Sequence, residues 1–173
     1  MKKVFRWLAL QLFVTAAIGA PCQNVGELLK DDHMNLGVRF DNRNPDVVRE
    51  FKRALNFWSK ILDMEWHEDS TSTCSIDLMD GIPAGTAQML VHDKPVGLSI
   101  RSFGIVAIDD RYKLAESEWY AIGAHELGHL FGLQHNSNPK SVMYYIHVSG
   151  DEALDSTDIA ALSARHRMRI SLY

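Results

Sequence analysis

Leu36, Val38 and Phe40 alternate with Gly37 and Arg39, the period of two expected of a half-buried strand. A few residues later the period changes. Val47, Val48, Phe51, Ala54, Leu55, Trp58 and Leu62 recur at helical spacing through residues 44–62. Asn44 suits the N-cap of that helix, Pro45 its first position and Asp46 its first turn. Its aromatic stripe reads as a core face. From residue 63 to 110 short strands are expected: "MEWHE" with Met64 and Trp66, "CSIDLM" with Ile76 and Leu78, then "GTAQMLVH" (85–92) and "GIVAID" (104–109). The piece between the last two contains Pro95, Gly97 and Gly104 and reads as turns. "ESEWYAIGAHELGHLFG" (116–132) predicts a long helix, acidic in its first turn and closed by glycine. "DSTDIAALSARHRM" (155–168) predicts a C-terminal helix capped by Asp155 or Ser156. Strands gather in one half and helices mostly in the other, so the class is α+β.

The chain has 173 residues, 46% hydrophobic and 23% charged, which fits one globular domain able to bury a core. The net charge is −4, and no basic stripe lies outside the N-terminus, which argues against nucleic acid as a partner. No repeat or low-complexity linker divides residues 34–173, so these form a single unit expected to act as a monomer.

The first twenty residues stand apart. Lys2, Lys3 and Arg6 precede the apolar "WLALQLFVTAAIGA", the layout of a secretory signal peptide cut after Ala20. The run falls short of the ~20 residues that a membrane span needs. Residues 21–33 then form an N-terminal segment that could serve as a short pro-segment, and the remaining chain is expected to be secreted, extracellular or periplasmic, without stable membrane insertion. Two cysteines remain, Cys22 and Cys74. An even number in an exported chain points to a disulfide, which would close a loop of roughly 50 residues and stabilise the fold by about 4 kcal/mol.

"HELGHLFGLQH" (125–135) carries the chemistry. A helix advances about 100° per residue, so His125 and His129 project from one face and can share a metal ion. Glu126 points partly toward the same space. His135 can join only if the chain turns back, and Gly132 is where it can do so, since glycine takes the left-handed conformation without penalty. Three neutral imidazoles suit Zn2+ and leave a fourth position open for water. Glu126 would accept the water proton and deliver it to a leaving amine, a scheme for amide hydrolysis. Histidines 33, 67, 92, 147 and 166 lack ligand spacing and read as surface or ordinary hydrogen-bonded residues.

"HELGHLFGLQH" followed by "SVMYY" resembles the metzincin zinc endopeptidases, whose pattern is HExxHxxGxxH and then a methionine turn. His125, Glu126, His129, Gly132 and His135 fill every fixed position. The resemblance extends over residues 34–166, and "VAIDD" is similar to the last strand of matrixins, the nearest subfamily. It implies a mixed twisted sheet, an active-site helix, a methionine turn and a C-terminal helix. It also implies one catalytic zinc, a protein or peptide substrate, and Met143 as the apolar floor beneath the metal. The chain departs from matrixins at Asn136, where serine is usual, and at Tyr145, where proline is usual. Astacins and serralysins carry a tyrosine at the latter place, which makes Tyr145 a candidate hydrogen-bond donor to the oxyanion. The histidine-rich loop of many matrixins, which binds a structural zinc, is not recognisable. Asp109, Asp110 and Asp80 are where Ca2+ would be sought. Cys22 could alternatively occupy the open zinc position as a latency switch, although "APCQN" lacks the arginine and glycine that surround the matrixin switch cysteine.

These readings predict a secreted zinc endopeptidase. Its substrate would pair with the strand "GTAQMLVH", and its specificity pocket would lie between the active-site helix and Tyr144–His147. The competing readings are a zinc-loaded peptide-binding module without turnover and an amidase acting on a cell-wall peptide.

Overall fold

The computed structural model describes residues 25–71, 76–82, 89–91, 94–147 and 153–169. The leader, Cys22, Cys74 and His92 lie outside the described residues, and with them the expectations of a cut after Ala20, a disulfide and a cysteine switch.

A short helix, α1 (Val25–Leu28), precedes β1 (Met34–Phe40), α2 (Pro45–Ile61) and β2 (Met64–Glu68). Then come β3 (Ile76–Asp80), β4 (Met89–Val91), β5 (Lys94–Ile100) and β6 (Ile105–Ile108). Helix α3 (Glu116–Leu130), β7 (Ile146–His147) and α4 (Ser156–Ser163) complete the order. Among the described residues the strands form one mixed sheet, ordered β2-β1-β3-β6-β5-β4-β7. The β1–β2, β1–β3, β3–β6 and β4–β7 pairs are parallel, whereas β5 runs antiparallel to both β6 and β4. The α+β class holds.

Helix α2 starts as its sequence dictates: the Asn44 side chain accepts from the Asp46 N–H at 3.0 Å, and Pro45 occupies the first turn. Its stripe is core, with Phe51, Ala54, Leu55 and Trp58 fully buried. Helix α3 packs against it and is buried over most of its length. Trp58 ties the two helices by donating from Nε1 to the Ala124 carbonyl at 3.0 Å, immediately before the first histidine. Replacing so large a buried side chain by alanine costs about 3–5 kcal/mol. Trp58 therefore fixes the height at which α3 sits over the sheet.

Two expectations need correction. The piece containing Pro95 and Gly97 is a strand, β5. Its pairing with β4 shifts register between Met89 and Leu90, and irregular pairing of this kind is where a sheet tolerates proline. Gly97 is needed because α3 presses on it: a Cβ there would lie 2.6 Å from Glu126 Oε1 and 3.1 Å from Ile122 Cγ2. The strand expected at 85–92 is described only as Met89–Val91, where Leu90 and Val91 pair with β7. Helix α1 (4 residues) and strand β7 (2 residues) are too short to give a decisive periodic signal and were not foreseen.

Candidate active site

Helix α3 delivers His125, Glu126 and His129, and its C-terminus then reverses. Gly132 has φ 96°, in the left-handed region. Its N–H donates to His129 O at 3.0 Å, and the Leu133 N–H donates to Gly128 O at 2.9 Å. This pair of bonds is the Schellman arrangement. It returns the chain so that His135 joins the other two imidazoles, with ring centroids 4.7, 4.8 and 5.3 Å apart.

The tautomers follow from the partners. His125 Nδ1 lies 2.8 Å from Val142 O, and His129 Nδ1 lies 3.0 Å from Leu133 O. A carbonyl can only accept, so each Nδ1 carries a proton, and in the neutral ring Nε2 is then the nitrogen with the lone pair. Burial pushes the pKa values of His129 and His135 below the usual imidazole range. One ligand atom from each of the three histidines lies within 4.8 Å of the others, a neutral donor set that fits zinc. Exposure rises from buried His125 to exposed His135, so the cluster opens toward solvent on one side.

Glu126 is 2% exposed. Burial pushes its carboxyl up to about 8, while a hydrogen bond from the Ser99 hydroxyl acts in the opposite direction. The cleft in front of it, about 340 Å³, is lined by Leu98 and Ser99 of β5, by Glu126 and His129 of α3, and by the Gly132–His135 turn. Strand β5 therefore forms the wall that sequence reasoning assigned to 85–92. The lining runs toward Arg101 and, among the described residues, does not include Tyr144, Tyr145 or Ile146.

Met143 is fully buried, and a Cβ on Gly128 would collide with its thioether sulfur. The sulfur thus packs under the α3 turn that separates His125 from His129. Tyr145 is 49% exposed, its ring tilted against that of Tyr144 with centroids 4.8 Å apart. Asn136 links the loop after His135 to α4, donating to Asp155 Oδ2 at 2.8 Å and Asp158 Oδ1 at 3.1 Å. Buried Asp158 also accepts from Ser141 Oγ at 2.6 Å, and Ser141 Oγ accepts from the Met143 N–H at 2.9 Å. The methionine turn is thereby bolted to the C-terminal helix.

Asp109 is committed to Arg111, which donates from Nε at 2.8 Å and Nη2 at 2.5 Å. Asp110 is raised above the usual carboxylate range by burial and by Asp80. Neither arrangement is evidence of calcium. His33 bonds Asp63, and His166 bonds the Phe131 carbonyl at 2.8 Å, while His67 is exposed. These are the ordinary roles expected of them.

Sequence reasoning missed Gly97, Ser99, Arg101, Ser141 and Asp158. Only Gly97 left a signal, since glycine inside a strand marks a close approach. The others act through contacts distant in sequence.

The matrixin family model matches residues 32–166, and that span includes both the histidine cluster and the methionine turn. The chain belongs to the matrixin family. It is similar to interstitial collagenase of Sus scrofa, 28% identical over 150 residues that cover 77% of this chain and 32% of the relative. Interstitial collagenase of Oryctolagus cuniculus is likewise 28% identical, over 149 residues, with the same coverage. Stromelysin-2 of Rattus norvegicus is 26% identical over 128 residues, covering 65% of this chain and 27% of the relative. This matrixin spans about a third of the length of these relatives.

Proposed function

We propose that this matrixin is a secreted zinc-dependent endopeptidase. The observation that carries the reading is a buried carboxyl group, Glu126, that lines an open cleft with His129 and His135, which cluster with His125. His125, His129 and His135 would hold the ion. When bound, zinc supplies the Lewis acidity that lowers the pKa of water and polarises a carbonyl.

Glu126, a buried carboxyl whose ionised form the charge of a bound zinc would favour, then takes the proton from the attacking water and passes it to the departing amine. The Ser99 hydroxyl orients that carboxylate, and Gly97 leaves it room. An extended substrate pairs with β5 at Leu98–Ile100, where no described strand lies on the cleft side. Tyr145, exposed and outside the cleft lining, would have to turn inward over bound substrate to donate to the oxyanion; a Tyr145→Phe protein that keeps full kcat would remove that role. Residues 1–20 direct export, Cys22 and Cys74 pair, and the processed chain acts as a monomer. Among the described residues, no helix is long and apolar enough to cross a membrane.

The test is a substrate panel of unstructured peptides, folded proteins and cell-wall peptides, read by mass spectrometry with and without a chelator. Internal cuts in ordinary peptides that disappear on chelation are expected. Cuts confined to cell-wall peptides would replace the endopeptidase reading with the amidase one. Tight peptide binding with no cuts would replace it with a binding module.

A further inference from the structure

Three cations from separate parts of the chain meet at one end of the catalytic cleft. Arg101 follows directly on β5, Arg165 lies just past α4, and Lys30 lies just past α1. Together they line a second cavity of about 310 Å³, and Arg101 also lines the cleft containing Glu126 and His135. Gly132 is the hinge of the arrangement. A Cβ there would collide with Arg165 Nη1 and come within 3.1 Å of Arg101 Nη1, so both guanidinium groups crowd onto the turn that returns His135.

Arg165 has a structural partner, donating from Nη1 to Gly132 O at 2.5 Å. Arg101 does not: its Nε and Nη2 are buried without a hydrogen-bond partner. Burial and the neighbouring Arg165 charge pull its pKa down, and only Glu27 opposes them. Glu27 itself is exposed and paired with Lys30 at 2.7 Å. Among the described residues, no carboxylate forms an ion pair with Arg101 or Arg165. Buried guanidinium donors without an acceptor are costly, and among the described residues the Arg101 charge is left without a counter-ion beside the cavity that it lines. The forked oxygens of a carboxylate match the planar guanidinium.

We propose that Arg101, Arg165 and Lys30 form a carboxylate subsite at the end of the cleft, selecting peptides with an acidic group a few residues from the scissile bond. This rests on the endopeptidase reading, so the test reads binding separately from turnover. Fluorescein-labelled, amidated peptides with Glu or Gln moved through successive positions are titrated onto the zinc-loaded Glu126→Ala protein. One further arm carries a free C-terminal carboxylate in place of the Glu side chain and shows which source of carboxylate is taken.

At one position Glu should bind about tenfold tighter than Gln, with the margin shrinking as salt rises. Arg101→Gln should bring the ratio within about twofold, and Arg101→Lys should restore part of it. Lys30→Gln, at a half-exposed position, should lower the ratio without disturbing the turn. Equal binding of Glu and Gln peptides at every position, or binding of neither, overturns the subsite. A preference that survives Arg101→Gln overturns it too. A Glu preference in binding, accompanied by no cleavage in the protein with Glu126 intact, overturns the endopeptidase reading and leaves the subsite standing.

Discussion

Glu126 works within tight tolerances because so little space surrounds it. A methyl group on Gly97 would lie 2.6 Å from its Oε1, so Gly97→Ala should push the carboxylate off its position while leaving the histidines in place. Displacements of about 1 Å at a reacting group can cost up to ~100-fold in rate. The expected outcome is a fall in kcat of at least about tenfold with zinc content unchanged by atomic absorption. Full activity would mean that strand and carboxylate are not in contact during turnover. The histidines make a second prediction at this scale. His129 and His135 are held below the usual imidazole range, and a ligand must be deprotonated to bind metal, so protons compete only at lower pH. Zinc release, followed with a colorimetric chelator during acid titration, should have its midpoint below the ordinary imidazole pKa of about 6.5.

At the scale of elements, α4 is tied to the active-site loop through Asp155 and Asp158. Asp155 caps α4, accepting from the Thr157 N–H at 2.8 Å and the Asp158 N–H at 3.0 Å, and it also receives Asn136 and Asn138. Those hydrogen bonds, first among them the one from Asp158, hold its carboxyl below the usual carboxylate range. A depressed folded pKa gives stability that is present above the ordinary value near 3.8 and lost as pH falls through the folded one. Asp155→Asn keeps a good cap but cannot titrate. The melting-temperature gap between the two proteins should therefore be open at pH 6 and close at strongly acid pH. Asp155→Ala should cost about 1–2 kcal/mol in urea unfolding at neutral pH.

The elements that declared themselves in the sequence were those with long periodic faces or end signals. Helix α2 has its stripe and the Asn44–Pro45 start, and α3 has Gly132 at the return. Strand β5 did not, because the residues that fit it to α3 are the ones that usually mark turns. Gly97 is there for Glu126 and not for a bend. Likewise the zinc ligands and Glu126 share one eleven-residue stretch and could be read together. Arg101, Ser141 and Asp158 meet their partners only across the fold, Ser141 reaching Asp158 and Arg101 crowding Gly132, so no spacing rule could find them.

At the scale of the whole molecule, the histidine cluster joins α3 to the loop leading to Met143, and the Asn136–Asp158 network joins that loop to α4. Metal bound to the folded state alone stabilises it by mass action. Removal of zinc should lower the melting temperature, and re-addition should restore it; an unchanged melting curve would mean that zinc does not bind the folded site. The reading of the molecule as a peptidase turns on a single group. The decisive measurement compares cleavage of a quenched-peptide library by the zinc-loaded protein and by its Glu126→Ala counterpart, with zinc content determined for both. Glu126 acting as the base predicts cleavage by the first, and a loss of at least about 100-fold in the second with zinc retained. Equal cleavage by the two proteins would contradict it.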